Sequence, residues 1–153
     1  MEAQPTVLIV EDDPAKARPT VLIVEGDPAA EARARRAITD TDIECDVLIA
    51  RDGDKACELL FDGVNGAPTL VLLDLAVPKT NGFEVLARIR GCGATKRLPV
   101  VVISSSTRKS DLEKSLDLQA NSFIQMGEDP EINETRLKLM LYYWIAVNQN
   151  VNT

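Results

Sequence analysis

The chain has 153 residues, of which 45% are hydrophobic and 27% charged, with a net charge of −7. This is the size of one ordinary domain with enough apolar content for a core, and the balance of residue types excludes wholesale disorder. The negative charge argues against nucleic-acid binding, which rests on Lys and Arg neutralising phosphates, and the longest apolar stretch, Leu139 to Val147, falls far short of the ~20 residues that cross a bilayer.

No charged leader precedes a long apolar stretch, so a cytoplasmic protein away from the membrane is expected. Cys45, Cys57 and Cys92 are odd in number and form no CxxC pair, which predicts three reduced thiols. The sequence contains no histidine. A histidine triad, a histidine metal site and a phosphohistidine are therefore excluded, and any phosphoryl group must arrive from outside.

The chain begins with a near-duplication. Residues 5–14 (PTVLIVEDDP) and 19–28 (PTVLIVEGDP) differ only at Asp12 versus Gly26. Only one copy can be the first strand. Copy two runs directly into a helical pattern, so the strand is expected at residues 20–24, with residues 1–18 as an N-terminal extension and residues 19–150 as the domain. An exchange of copies would leave residues 13–27 as a loop, at a closure cost of ~2–3 kcal/mol plus a constant. Addition of copy one to an exposed sheet edge is a further alternative.

From Thr20 onward, apolar runs alternate with helical patterns. Asp27 reads as an N-cap and Pro28 as the first residue of a helix to Ile38. Ile43 to Ala50 is β-prone, and Asp52-Gly53 leads into a helix over Lys55 to Phe61. Gly63, Asn65, Gly66 and Pro68 mark a loop. Thr69 to Leu73 is a third strand ending at Asp74, and Asn81-Gly82 opens a helix over Phe83 to Arg90. Pro99 to Ile103, Ser110 to Leu118, Ser122 to Gln125 and Glu131 to Val147 complete the series as strand, helix, strand and helix. Strands that are apolar throughout are expected where helices cover both faces of a parallel sheet. Five βα units with right-handed crossovers give an α/β, flavodoxin-like, doubly wound sheet of order 2-1-3-4-5. Its ligand crevice lies at the carboxyl ends of strands 1 and 3, which carry Glu25, Asp27 and Asp74.

Clustered carboxylates repel one another and raise at least one pKa unless a cation is present. An all-oxygen site of this kind suits Mg²⁺ with water and a phosphate. Asp27 has an equal claim to be only a helix cap, whereas Leu-Leu-Asp-Leu sets the charge of Asp74 directly after a buried strand. No GxxxxGK[ST] or GxGxxG loop is present. A carboxylate nucleophile forming an aspartyl phosphate is the best chemical match.

The motifs Val21-Leu-Ile-Val-Glu25, Leu72-Leu-Asp-Leu75, Pro78 with Asn81-Gly82, and Val101-Val-Ile-Ser104 resemble the CheY-like receiver domains of two-component response regulators. The resemblance covers residues 19 to 147. Arg51-Asp-Gly53, Val77-Pro-Lys79 and Tyr142-Tyr-Trp144 are most similar to the single-domain regulators of bacterial phytochromes. It implies that Asp74 accepts a phosphoryl group from a sensor histidine kinase in a phosphorelay. Glu25, Asp74 and the Ala76 carbonyl would hold Mg²⁺, Ser104 would be the switch hydroxyl and Phe123 the switch aromatic. It also implies homodimerisation through the C-terminal helix, where Leu137 to Val147 is apolar around nearly its whole circumference.

Two departures stand out. The family pairs two acids after strand 1, but here Glu25 is followed by Gly26, and Asp27 comes one residue late. Met126 stands where the family has a lysine. Loss of one charged hydrogen bond costs ~1.5–3 kcal/mol, so inefficient phosphorylation is expected unless Lys79 or Lys109 reaches in. The alternatives are a pseudo-receiver acting as a phosphorylation-independent interaction module and, more distantly, a Mg²⁺-dependent hydrolase, for which the sequence offers no general base.

Overall fold

The computed structural model describes residues 18–62 and 66–148. The elements alternate: β1 (Thr20–Val24), α1 (Pro28–Asp40), β2 (Asp46–Ala50), α2 (Gly53–Cys57), β3 (Leu70–Asp74), α3 (Gly82–Gly91), β4 (Val100–Ser104), α4 (Lys109–Asp117), β5 (Ser122–Gln125) and α5 (Pro130–Tyr142). All strand pairs are parallel, and the sheet order is β2-β1-β3-β4-β5, as expected. Strand β1 is formed by the second copy of the repeated segment. The first copy, residues 5–14, lies outside the described residues.

Alternate strand residues face opposite sides, and each side is covered by helices. Leu22, Val24, Val71, Leu73, Val100 and Val102 pack with α2 and α3. Val21, Ile23, Leu70, Leu72, Val101 and Ile103 pack with α1 and α5. This two-sided burial is why the central strands are apolar at every position. The three cysteines are unpaired, and only Cys57 is fully buried.

Helix starts follow local chemistry. Oδ1 of Asp27 accepts from the Ala29 N–H, that of Asp52 from Lys55, that of Asn81 from Glu84, and that of Asp129 from Glu131 and Ile132. Pro28 and Pro130 occupy first-turn positions whose N–H would have no helical partner. Helix α4 follows Arg108, an N-cap residue that makes no side-chain cap bond; instead the Ser106 hydroxyl accepts from the Arg108 N–H and donates to Asp111.

Most boundaries fall within two residues of the sequence expectation, and the larger differences have physical causes. Strand β2 starts at Asp46 rather than Ile43, because it pairs only with β1, and β1 begins opposite it at Thr20. Helices α2 and α5 each end in a wider π-helical turn, Glu58–Asp62 and Tyr143–Val147. At the second, the Asn148 N–H reaches back to the Tyr143 carbonyl at 2.7 Å, five residues away.

Arg90 joins the end of α3 to the segments around β4 and β5. Its guanidinium donates to the carbonyls of Gln119, Lys96 and Leu98 at 2.9, 3.2 and 2.7 Å and to Oδ1 of Asn121 at 2.8 Å. Burial pushes its pKa down, but an arginine stays charged throughout the working pH range. Arg90→Met keeps the apolar stem and removes all four bonds. Urea unfolding is expected to show a loss of about 2–4 kcal/mol.

Candidate functional site

The crevice is built by adjacent strand ends. Strands β1 and β3 are neighbours, with Val24 opposite Leu73, so the next residues, Glu25 and Asp74, meet at the carboxyl edge. Glu25 is only 5% exposed, and its N–H donates to the Ala50 carbonyl at 2.9 Å. Its carboxyl is hydrogen-bonded to that of Asp74. Burial, then this hydrogen bond and the Asp74 charge, push the Glu25 pKa up to about 8. Two carboxyl groups can bond directly only if a proton lies between them.

Asp74 also accepts from the Ala76 N–H at 3.2 Å. Its backbone is held from behind: a Cβ on Gly82 would lie 2.6 Å from the Leu75 Cα and 2.7 Å from the Asp74 carbonyl oxygen. Only a glycine lets the start of α3 approach so closely. Ser104 ends β4 in the same crevice, and its hydroxyl accepts from the Ser106 N–H at 3.0 Å.

The resulting cleft has a volume of about 230 Å³, and Glu25, Asp27, Asp74, Ala76, Ser104 and Met126 all line it. Asp27 faces two ways. Its carboxylate caps α1, and its N–H donates to Glu25 Oε2 at 3.3 Å. Gly26 sits in a tight spot: a Cβ there would lie 3.1 Å from the Arg51 carbonyl oxygen and 3.3 Å from Pro78 Cδ, so those neighbours would have to give by a few tenths of an ångström. Met126 is half-buried; its N–H donates to the Ser104 carbonyl at 2.8 Å.

Other singled-out residues lie elsewhere. Lys79 pairs with Asp52 at 3.6 Å and does not line the cleft. Lys109 starts α4 and does not line it either. Phe123 packs half-buried against the core on the α2–α3 side and borders a separate groove with Tyr143 and Trp144. Sequence reasoning missed Arg33, the one cationic residue lining the cleft among those described. Its signal was its place beside the buried Ala34, one turn after Ala30, on the inner edge of α1.

Among the described residues, no three acids or cysteines converge as a ready-made metal cage. The oxygen donors nevertheless fit a hard cation. Glu25 and Asp74 both face a cleft with room for water. Among the described residues, no helix is long and apolar enough to cross a membrane.

The family model of the response regulator receiver domain matches residues 21–135. The chain belongs to this family. Rcp1 of Synechocystis sp. is 35% identical over 101 residues, covering 62% of this chain and 68% of Rcp1. The probable methanogenesis regulatory protein FilR2 of Methanothrix harundinacea is 32% identical over 103 residues, covering 65% of this chain and 66% of that protein. Among solved structures, the Mn²⁺-bound form of Rcp1 superposes with a TM-score of 0.81 at 27% identity, over 86% of this chain and 98% of the other. The phosphorylated cyanobacterial phytochrome response regulator RcpA gives 0.83 at 29% identity, over 88% and 99%. The receiver fold and the chain's place among two-component response regulators thus follow from sequence and from structure.

The raised Glu25 pKa has a defined consequence for stability. The folded state holds this proton to about pH 8, whereas the unfolded chain releases it near 4.5, the ordinary value for a glutamate. The stability this group contributes is therefore complete below pH 4.5 and is lost as pH rises through 8. Glu25→Gln keeps a neutral hydrogen-bonding side chain at every pH. Its melting temperature is expected to match wild type near pH 5 and to exceed it increasingly toward pH 8 in metal-free buffer.

Proposed function

We propose that this receiver domain accepts a phosphoryl group on Asp74 from a sensor histidine kinase of the phytochrome type. The observation that carries this reading is the Glu25–Asp74 pair set in one cleft with the Ser104 hydroxyl. Asp74 supplies the nucleophilic oxygen, held by the Ala76 N–H and by the close packing of Gly82. Ser104 offers a hydroxyl to the incoming phosphoryl oxygens. Glu25, Asp74 and the Ala76 carbonyl would hold Mg²⁺, and Asp27 adds negative charge at the rim. When bound, the cation supplies charge neutralisation to a transfer that depends mainly on positioning and electrostatics. Two related structures, one Mn²⁺-bound and one phosphorylated, support the same chemistry.

Gly26 contributes no carboxylate and Met126 no charged donor, so uptake is expected to be slow. These same two residues favour the second reading, a pseudo-receiver that binds partners without phosphorylation. Incubation with acetyl phosphate and Mg²⁺ followed by intact-mass spectrometry separates the two. A phosphoryl adduct is expected on the wild type and absent from Asp74→Asn; a folded wild type that gains no mass at any Mg²⁺ concentration favours the pseudo-receiver.

The outer face of α5 supports a homodimer. Leu137, Met140, Leu141 and Ile145 are buried against the sheet, which leaves Leu139 at 69% and Val147 at 60% exposure beside the exposed Tyr142 and Tyr143. Aromatic and aliphatic side chains gathered in this way are typical of interface cores. Light scattering at micromolar concentration is expected to give the mass of a dimer, falling to a monomer in the double variant Leu139→Asp/Tyr143→Asp.

A further inference from the structure

A dianionic phosphoryl group entering this cleft meets three carboxyl groups, Glu25, Asp27 and Asp74, and the apolar thioether of Met126. One divalent cation does not balance that charge. The remaining wall is α1, and it presents Arg33. Of the other arginines nearby, Arg108 borders Asp74 and Ser104 from a separate groove on the α4 side, and three are already engaged. Arg35 and Arg51 share Glu31 at 3.2 Å each, and Arg136 donates to the Gln125 carbonyl at 2.9 Å. Among the described residues Arg33 makes no hydrogen bond or ion pair, although its helix borders an acidic cleft. Ala30 and Ala34, on either side of it in the lining, are too small to block a long side chain from folding inward. A guanidinium is planar, permanently charged and weakly hydrated, with paired donors that match two phosphoryl oxygens.

We propose that Arg33 is the phosphoryl-neutralising residue of this cleft, supplying from α1 the positive charge that Met126 cannot supply from the start of the β5–α5 connection. This rests on the reading of Asp74 as phosphoryl acceptor. With acetyl phosphate as donor, an Asp74 carboxylate oxygen forms the new O–P bond. The P–O bond to the acetyl oxygen breaks, and acetate leaves with the electron pair. Arg33 keeps all its protons throughout and donates hydrogen bonds to the transferred phosphoryl oxygens.

The test measures adduct formation from acetyl phosphate and Mg²⁺ by intact-mass spectrometry for five proteins. These are wild type, Arg33→Ala, Arg33→Lys, Arg36→Ala as a control for net charge on the same helix, and Arg33→Ala/Met126→Lys. Arg33→Ala is expected to slow uptake roughly tenfold or more, the size of one lost charged hydrogen bond. Arg33→Lys should recover part of the rate, Arg36→Ala should match wild type, and the double variant should regain the loss. Equal rates for wild type and Arg33→Ala overturn the proposal, as does an equal fall in Arg36→Ala, which would reduce the effect to net charge. A wild type that forms no adduct counts against the acceptor reading instead. In that case calorimetric binding of inorganic phosphate in the presence of Mg²⁺ decides Arg33 separately: weaker binding to Arg33→Ala sustains the site, and equal binding overturns it.

Discussion

Two carboxyl groups held face to face at the edge of a parallel sheet are the constraint around which this molecule is arranged. Glu25 and Asp74 are 49 positions apart in the chain, yet the 2-1-3-4-5 winding makes their strands neighbours. Burial alone makes a charged Glu25 unfavourable, and the second acid compounds it. The surrounding structure keeps this strained pair in place rather than relieving it. Gly82 lets α3 close against the backbone of Asp74, the Ala50 carbonyl fixes the Glu25 N–H, and Ser104 closes the third side. A site of this kind is poised for positive charge and for a group that brings its own cation.

The way charge is handled in the cleft separates this chain from a generic acidic pocket. Gly26 is wedged between the Arg51 carbonyl and Pro78, so a second acid cannot simply be restored there without the loop giving way. Met126 ties its backbone to Ser104 while placing a neutral side chain in the lining. Among the described residues that line the cleft, the positive charge is that of Arg33 on helix α1.

Much of the fold could be read directly from the sequence, because uninterrupted apolar strands between helical patterns have few architectural solutions. The carboxyl-edge crevice followed from topology, and with it the meeting of Glu25, Asp74 and Ser104. What could not be read depended on contacts between distant segments. The start of β2 is set by the length of its one partner. The π-helical turns after Cys57 and Tyr142 leave no mark in residue spacing. Arg90 looked like one more surface charge, because its acceptors lie up to 31 residues away. Arg33 was hidden for the same reason: an alternating Ala-Arg helix does not say which of its arginines borders the crevice until α5 is packed beside it.

A strand that is apolar on both faces carries no facial code. Shifting an alternating strand by one residue turns its pattern inside out, but Val21-Leu-Ile-Val24 looks much the same from either side of the sheet. The slot between β2 and β3 thus recognises composition, and two nearly identical segments of this chain satisfy it. The choice between them is made by what comes next. Both copies end in Asp-Pro, at Asp13-Pro14 and at Asp27-Pro28. After the second, thirteen helical residues follow, and they bury Ala34, Ala37 and Ile38 against the sheet. The address of β1 is therefore written outside β1, in the helix that follows it and covers the sheet.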